Sequence, residues 1–155
     1  MKTIVVGYDE TEPAKRALAR AAELATAFDS RLIVTSVARL LVGGAVARGV
    51  GPIDPLDEPE LHREALEHAE TFLTERGIHG HYEVTLGDPA ASIVDLAEKQ
   101  EADLIVVGTR EPGFFERLMG LSVSDAVEHR AHCDVLIVHP PEGGEEPASA
   151  PSPAT

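Results

Sequence analysis

An α/β domain with an open parallel sheet and helices on both faces is predicted by three features of this chain. Short apolar runs of strand length recur, among them Ile4-Val5-Val6, Leu104-Ile105-Val106-Val107 and Val135-Leu136-Ile137-Val138. They alternate with longer stretches of helical periodicity, the order that builds βα units rather than hairpins. The switch is sharpest between Asp103 and His139. One apolar run stops at Gly108-Thr109-Arg110, Ser122-Val123-Ser124-Asp125 opens a helix, and a second apolar run follows. A loop leaving the carboxyl end of a parallel strand for a helix N-terminus is where such sheets bind phosphate. Unpaired amides and the positive end of the helix dipole meet there.

The elements follow in order. Thr3 to Tyr8 reads as the first strand. Thr11 with Glu12-Pro13 supplies a helix start, with proline near its first turn. Ala14, Leu18, Ala21, Ala22 and Leu24-Ala25 form a small-residue stripe suited to close packing on the sheet. Arg31 to Val37 is the second strand. Arg39 to Pro59 is irregular, broken by Gly43-Gly44, Gly49, Gly51-Pro52 and Pro55, and a loop of this length is often functional. Glu60 to Arg76 reads as an acidic amphipathic helix with Leu61, Ala65, Ala69, Phe72 and Leu73 inward and Gly77 as its C-terminal cap. His81 to Leu86 is the third strand, and Gly87-Asp88-Pro89 turns into a helix running through Gln100. The fourth strand, Asp103 to Val107, leads to the Gly108 to Leu121 loop, a helix from Ser122 to His129 and the last strand. The folded domain is thus expected over 1–139. Residues 140–155, acidic and proline-rich with almost nothing apolar, are expected to be a disordered tail.

At 155 residues the chain fits one domain with a real core. No apolar run approaches the ~20 residues of a membrane span. The N-terminus enters a strand directly without a signal-like leader, and the single cysteine, Cys133, suits a reducing compartment, so a cytoplasmic location is expected. Net charge is −14, from 27 acidic and 13 basic residues, with no basic patch. That argues against a nucleic-acid partner, because phosphate-backbone binding needs clustered Lys and Arg.

In order and spacing, these residues resemble the universal stress protein family. The resemblance covers roughly Met1 to His139. It rests on Ile4-Val5-Val6-Gly7-Tyr8-Asp9 followed by Thr11, on Gly87-Asp88-Pro89-Ala90 with Ile93, and on Ala102 to Arg110. It continues through Ser122-Val123-Ser124 and Ala131 to Val138. It implies a five-stranded parallel sheet in the order 3-2-1-4-5, of the adenine nucleotide alpha hydrolase-like kind. It also implies a homodimer through the last-strand edge, Val135 to Val138. By resemblance, Asp9 is the carboxylate that accepts from ribose hydroxyls, and Thr11 the small hydroxyl residue after it. Val37 is the position whose backbone reads adenine, and Glu10 replaces a usual glycine. Gly108, Thr109, Arg110, Ser122, Val123 and Ser124 fall where the family handles phosphate.

Nucleotide-binding members carry glycine, two residues, glycine, nine residues, glycine, then serine or threonine. Gly108 and Ser122 fill the outer places, but Glu111 and Leu121 stand at the second and third glycines, with Gly113 and Gly120 out of register. Glycine serves near phosphate because it allows close backbone approach and positive φ. Leu121 puts an isobutyl group where an outer phosphate would lie, and Glu111 brings a like charge worth ~1 kcal/mol at a partly screened surface. A triphosphate is disfavoured on this reading, and AMP or cyclic AMP is expected to bind at least as well as ATP. Each residue also has a plainer role: Asp9 and Ser122 are good helix caps, and Glu111 is an ordinary solvated loop carboxylate.

Other chemistry finds little support. His79 with His81, and His129 with His132, share faces but lack the further ligands a structural zinc site needs, so no metal is expected. No nucleophile elbow or Walker loop is present, and a catalytic thiol at Cys133 would need an electropositive setting. Phe114 and Phe115 read as a local packing plug ahead of a lid or partner contact. The expected protein is a non-catalytic sensor or accessory module of the stress response that requires no cofactor and takes an adenine nucleotide as ligand. The alternative is a protein-interaction module that has lost nucleotide and works with an unknown protein partner. A slow ATPase is disfavoured, since no motif supplies a phosphate lysine or a second magnesium carboxylate.

Overall fold

The computed structural model describes residues 1–39, 58–109 and 122–141. Nine elements are described: β1 (Thr3–Gly7), α1 (Glu12–Phe28), β2 (Arg31–Ala38), α2 (Pro59–Thr74), β3 (Gly80–Leu86), α3 (Pro89–Lys99), β4 (Leu104–Gly108), α4 (Val123–Arg130) and β5 (Asp134–Val138). The strands form one sheet in the order β3-β2-β1-β4-β5, and every pairing is parallel. The expected strand order and alternation are therefore present. Most of the long loop after β2, the loop through Arg110, Glu111 and Leu121, and most of the expected tail lie outside the described residues.

Strand alternation sends side chains to two cores. Ile4, Val6, Leu32, Val34, Leu104 and Val106 face α1 and α2, where Ala17, Leu18, Ala21, Leu66, Ala69 and Leu73 meet them. Val5, Ile33, Ile105 and Val107 face α3 and α4, against Ile93, Val94, Ala97 and Val127. A fully buried side chain of this size contributes ~1.5–3 kcal/mol, so Leu73 or Ile105 cut to alanine removes a large share of a marginal stability. The alanine stripe of α1 is buried as expected, which lets that helix approach the sheet closely.

One inward assignment on α2 is corrected. Leu61 is 48% exposed, and Leu66 is buried in its helix. Both fit an apolar stripe. The choice is made by where β2 and β3 lie under the helix, which periodicity does not encode. Element ends differ from expectation by one or two residues, the usual latitude of frayed termini.

Three contacts fix the carboxyl end of the sheet. Tyr8 N–H donates to Thr35 C=O at 2.8 Å, the last link between β1 and β2. Thr109 N–H donates to Val138 C=O at 3.1 Å, closing β4 on β5. Gly108 lies directly under α1: a Cβ there would stand 2.0 Å from Pro13 O and 2.3 Å from Pro13 C. Only glycine lets the first turn of α1 sit over β4 at this distance.

Candidate functional site

The site is built from the ends of β1, β2 and β4 and the starts of α1, α2, α3 and α4. Beyond Gly7 the chain turns through Tyr8, Asp9 and Glu10 into α1. Thr11 is the N-cap of α1, with its Oγ1 accepting from Ala14 N–H at 3.4 Å. The same hydroxyl donates to Asp9 Oδ1 at 2.6 Å, and Thr11 N–H donates to that oxygen at 3.1 Å. The capping alternative for Asp9 is thereby decided. Thr11 caps the helix, and Asp9 braces the cap with one carboxylate oxygen.

Glu10 between them has φ 65, a left-handed conformation that costs a residue with a Cβ. The family's usual glycine at this place thus has a backbone reason. Here the turn is kept with a glutamate, whose carboxylate bonds to Nδ1 of His68 on α2.

These turns enclose a cleft of about 400 Å³, within the ~300–1,000 Å³ range of small-molecule sites. Of the residues singled out in the sequence, Asp9, Thr11, Val37, Gly108 and Val123 line it together. Tyr8, Thr35, Arg39, His62, Pro89 and Val107 are among the other described residues of the wall. Sequence reasoning missed His62, Arg39 and Tyr8. Only Tyr8 had a local signal, beside Asp9 at a strand end. Thr109, Ser122 and Ser124 are not among the lining residues, and Arg110 lies outside the described residues.

Val37 has a distinctive backbone position. Thr35 C=O faces β1, where it takes Tyr8 N–H, and Ala38 C=O faces β3, where it takes Gly87 N–H at 2.9 Å. Peptide groups alternate sides along a parallel ladder, so those of Val37 face the β1 side. Pairing with β1 has already ended at Thr35, and no β1 residue stands opposite Val37. A donor and an acceptor, spaced as in a strand edge, are thus presented at the mouth of the sheet.

The α4 end is less open. Ser122 is the N-cap of α4 by its backbone, but its hydroxyl makes no capping bond. It shares a 2.5 Å hydrogen bond with the Ser124 hydroxyl instead, and Ser124 is buried. Gly108 matches the first glycine of the phosphate pattern, yet its contact with Pro13 already requires glycine without any ligand.

The electrostatics are acidic at the β1 end. Burial, and then the charges of Glu10, Asp9 and Glu12, push the Tyr8 hydroxyl above its ordinary value. Cys133, away from the cleft, is also pushed up, by burial first and by Asp134 next, so the electropositive setting of a reactive thiol is lacking. Among the described residues no group of three or more His, Cys, Asp or Glu side chains is placed to hold a metal ion. His129 has its own local role: its Nδ1–H donates to Asp125 C=O at 2.7 Å within α4. Among the described residues no helix is long and apolar enough to cross a membrane.

The all-parallel sheet in the order β3-β2-β1-β4-β5, with a ligand-sized cleft over the carboxyl ends of its central strands, is the arrangement expected of the adenine nucleotide alpha hydrolase-like class of α/β fold. A model of the universal stress protein family matches residues 1–139. The chain belongs to that family. It is 34% identical over 144 residues to universal stress protein MJ0531 of Methanocaldococcus jannaschii, covering 91% of this chain and 84% of that one. It is 35% identical over 154 residues to universal stress protein Rv1636 of Mycobacterium tuberculosis, covering 89% and 96%. Among solved structures, a universal stress protein in complex with cAMP superposes with a TM-score of 0.70 at 28% identity, over 89% of this chain and 97% of that one.

Proposed function

We propose that the cleft binds an adenine nucleotide, with AMP or cyclic AMP held at least as well as ATP. The chain then works as a non-enzymatic, cytoplasmic sensor or accessory module in stress response. One observation carries the reading. Asp9, with one carboxylate oxygen engaged by Thr11, and the Val37 peptide, past the last β1 partner, face the same cleft. A carboxylate suits ribose hydroxyls, and a strand-edge donor and acceptor suit the amino and ring nitrogens of adenine. The 28%-identical relative holding cAMP supports a nucleotide with a single phosphate. Glu111 and Leu121, at two of the family's phosphate glycines, disfavour a longer phosphate chain. Mass analysis of small molecules released from natively purified protein tests this directly. The expected finding is a purine mononucleotide in molar proportion to protein.

A second reading has its own support. Because Gly108 is required by Pro13, its presence does not argue for phosphate, and a chain that had lost nucleotide would keep it. That protein would act through partners, with the open edge of β5 the natural surface for a second copy. Natively purified protein that releases nothing, and takes up no nucleotide when offered it, favours this reading.

A further inference from the structure

We infer that the Glu10–His68 pair is a proton-operated brace of the cleft. With His68 protonated, the turn carrying Asp9 and Thr11 is held in its binding shape, and the nucleotide binds more tightly than when His68 is neutral. The inference rests on the nucleotide reading and adds a regulation that the reading does not contain. Glu10 stands between Asp9 and Thr11, which both line the cleft. Its φ of 65 is costly for a residue with a Cβ, so the turn gains from a support outside its own backbone. That support is the bond from the Glu10 carboxylate to Nδ1 of His68. The anchor is firm, because Leu66 and Ala69, on either side of His68 in α2, are buried in the core.

Charge acts in the same direction. Asp9, Glu10 and Glu12 crowd the β1 end of the cleft and all bear on Tyr8. Lys15 pairs with Glu12 at 3.4 Å, and among the described residues His68 is the one ion-pair partner of Glu10. The bond to Glu10 and its charge, then Glu64 and Glu67 on α2 itself, favour the protonated ring. A neutral ring can still donate from Nδ1, but protonation makes the bond charge-assisted and offsets the Glu10 charge. The strained turn is then held more firmly, and an anionic ligand meets less negative charge. Both groups are half-exposed, so solvent screens the pair and the effect is modest. By linkage, the nucleotide must raise the proton affinity of His68 by the same factor. His68 is not among the described lining residues and acts through Glu10, so it is a positioning residue.

The test uses the full chain and cyclic AMP, whose phosphodiester does not titrate near neutral pH. Calorimetry at about pH 6 and about pH 8.5 brackets the ordinary imidazole range. The parent should bind about threefold more tightly at the lower pH, the scale that a solvent-exposed pair supplies. His62, in the cleft itself, is common to every protein compared, so the difference between parent and variant isolates His68. His68→Gln should lose the threefold advantage, and His68→Lys, with a permanent charge, should keep the tighter binding at both pH values. NMR titration of the His68 ring, assigned by its absence in His68→Gln, should show its pKa rising when the protein is saturated with cyclic AMP. Equal affinity of the parent at both pH values overturns the inference and leaves the nucleotide reading standing. So does a His68→Gln variant that keeps the parent's full decline, or a His68 pKa that cyclic AMP leaves in place. A parent that binds no cyclic AMP at either pH overturns the nucleotide reading itself, and this inference with it.

Discussion

Glu10, in the left-handed turn between β1 and α1, is bonded through its carboxylate to Nδ1 of His68 on α2, 58 positions along the chain. The contact ties the loop that carries Asp9 and Thr11 to a helix on the same face of the sheet. The hydrogen bond to Glu10, and then the Glu10 charge with those of Glu64 and Glu67, raise the His68 pKa above its ordinary value. A group whose folded pKa is raised lends its stability in full below its unfolded value, here ~6.5, and loses it as pH rises through the folded value. The thermal midpoint of the parent should therefore carry a component that declines above neutral pH. His68→Ala should remove that component and leave the rest of the profile in place. Glu10→Gly should shrink it, leaving the part due to Glu64 and Glu67, yet be the more stable of the two at high pH, where the backbone strain at this position is relieved.

Asp103 closes the other end of β1. Its Oδ2 accepts from Lys2 N–H at 2.6 Å and Thr3 N–H at 2.9 Å. The Thr3 bond, then the Lys2 bond, hold its pKa below the ordinary carboxylate value. A lowered carboxylate contributes stability above its unfolded pKa of ~3.9, and that contribution is lost as pH falls through the folded value. Asp103→Asn should flatten the acid limb of a stability-against-pH curve in that window and leave stability at neutral pH nearer to the parent's than Asp103→Ala does. A titration shift of Asp103 followed by NMR at or above ~3.9 would contradict the assignment.

Gly108 separates scaffold from ligand chemistry. With a Cβ placed 2.0 Å from Pro13 O, Gly108→Ala must displace the first turn of α1. The expected cost is about 1–3 kcal/mol in urea unfolding without nucleotide, the usual range for overpacking. A variant as stable as the parent would show that the glycine is kept for a ligand instead.

Among the described residues no strand pairs with the outer side of β5, which is the expected dimer edge. Val138 C=O takes the N–H of Thr109, the residue after β4, so by ladder alternation the Ile137 N–H faces away from β4. An exposed strand edge invites pairing with a second chain. Sedimentation at micromolar concentration should give a dimer for the parent and a folded monomer for Ile137→Pro, since the substitution removes no β4 bond. A monomeric parent refutes the dimer.

Much of this architecture was legible in the sequence because its central strands are buried on both faces. Such strands read as unbroken apolar runs, and Ile4 to Val6 and Leu104 to Val107 could be placed with little ambiguity. The turn residues were legible for a related reason: Thr11, Asp88 and Ser122 are residue types that start helices, and all three are N-caps. What escaped was long-range. Leu61 and Leu66 fit one apolar stripe equally, and only the sheet beneath chooses between them. His62 is hydrogen-bonded to Ser36, 26 positions away, and Glu10 to His68. Gly108 was legible as a glycine that matters, but not for the contact with Pro13 that requires it.

The central claim is that the nucleoside half of the cleft is intact and its phosphate half is altered. Calorimetry with AMP, cyclic AMP and ATP tests it on three proteins: the parent, Asp9→Ala, and the double variant Glu111→Gly with Leu121→Gly. The parent should bind AMP or cyclic AMP at least as tightly as ATP. Asp9→Ala should weaken all three alike, and the double variant should recover ATP affinity by about 1–3 kcal/mol, the relief of one clash and one repulsion. Tight ATP binding by the parent, or no nucleotide binding even by the double variant, contradicts the account.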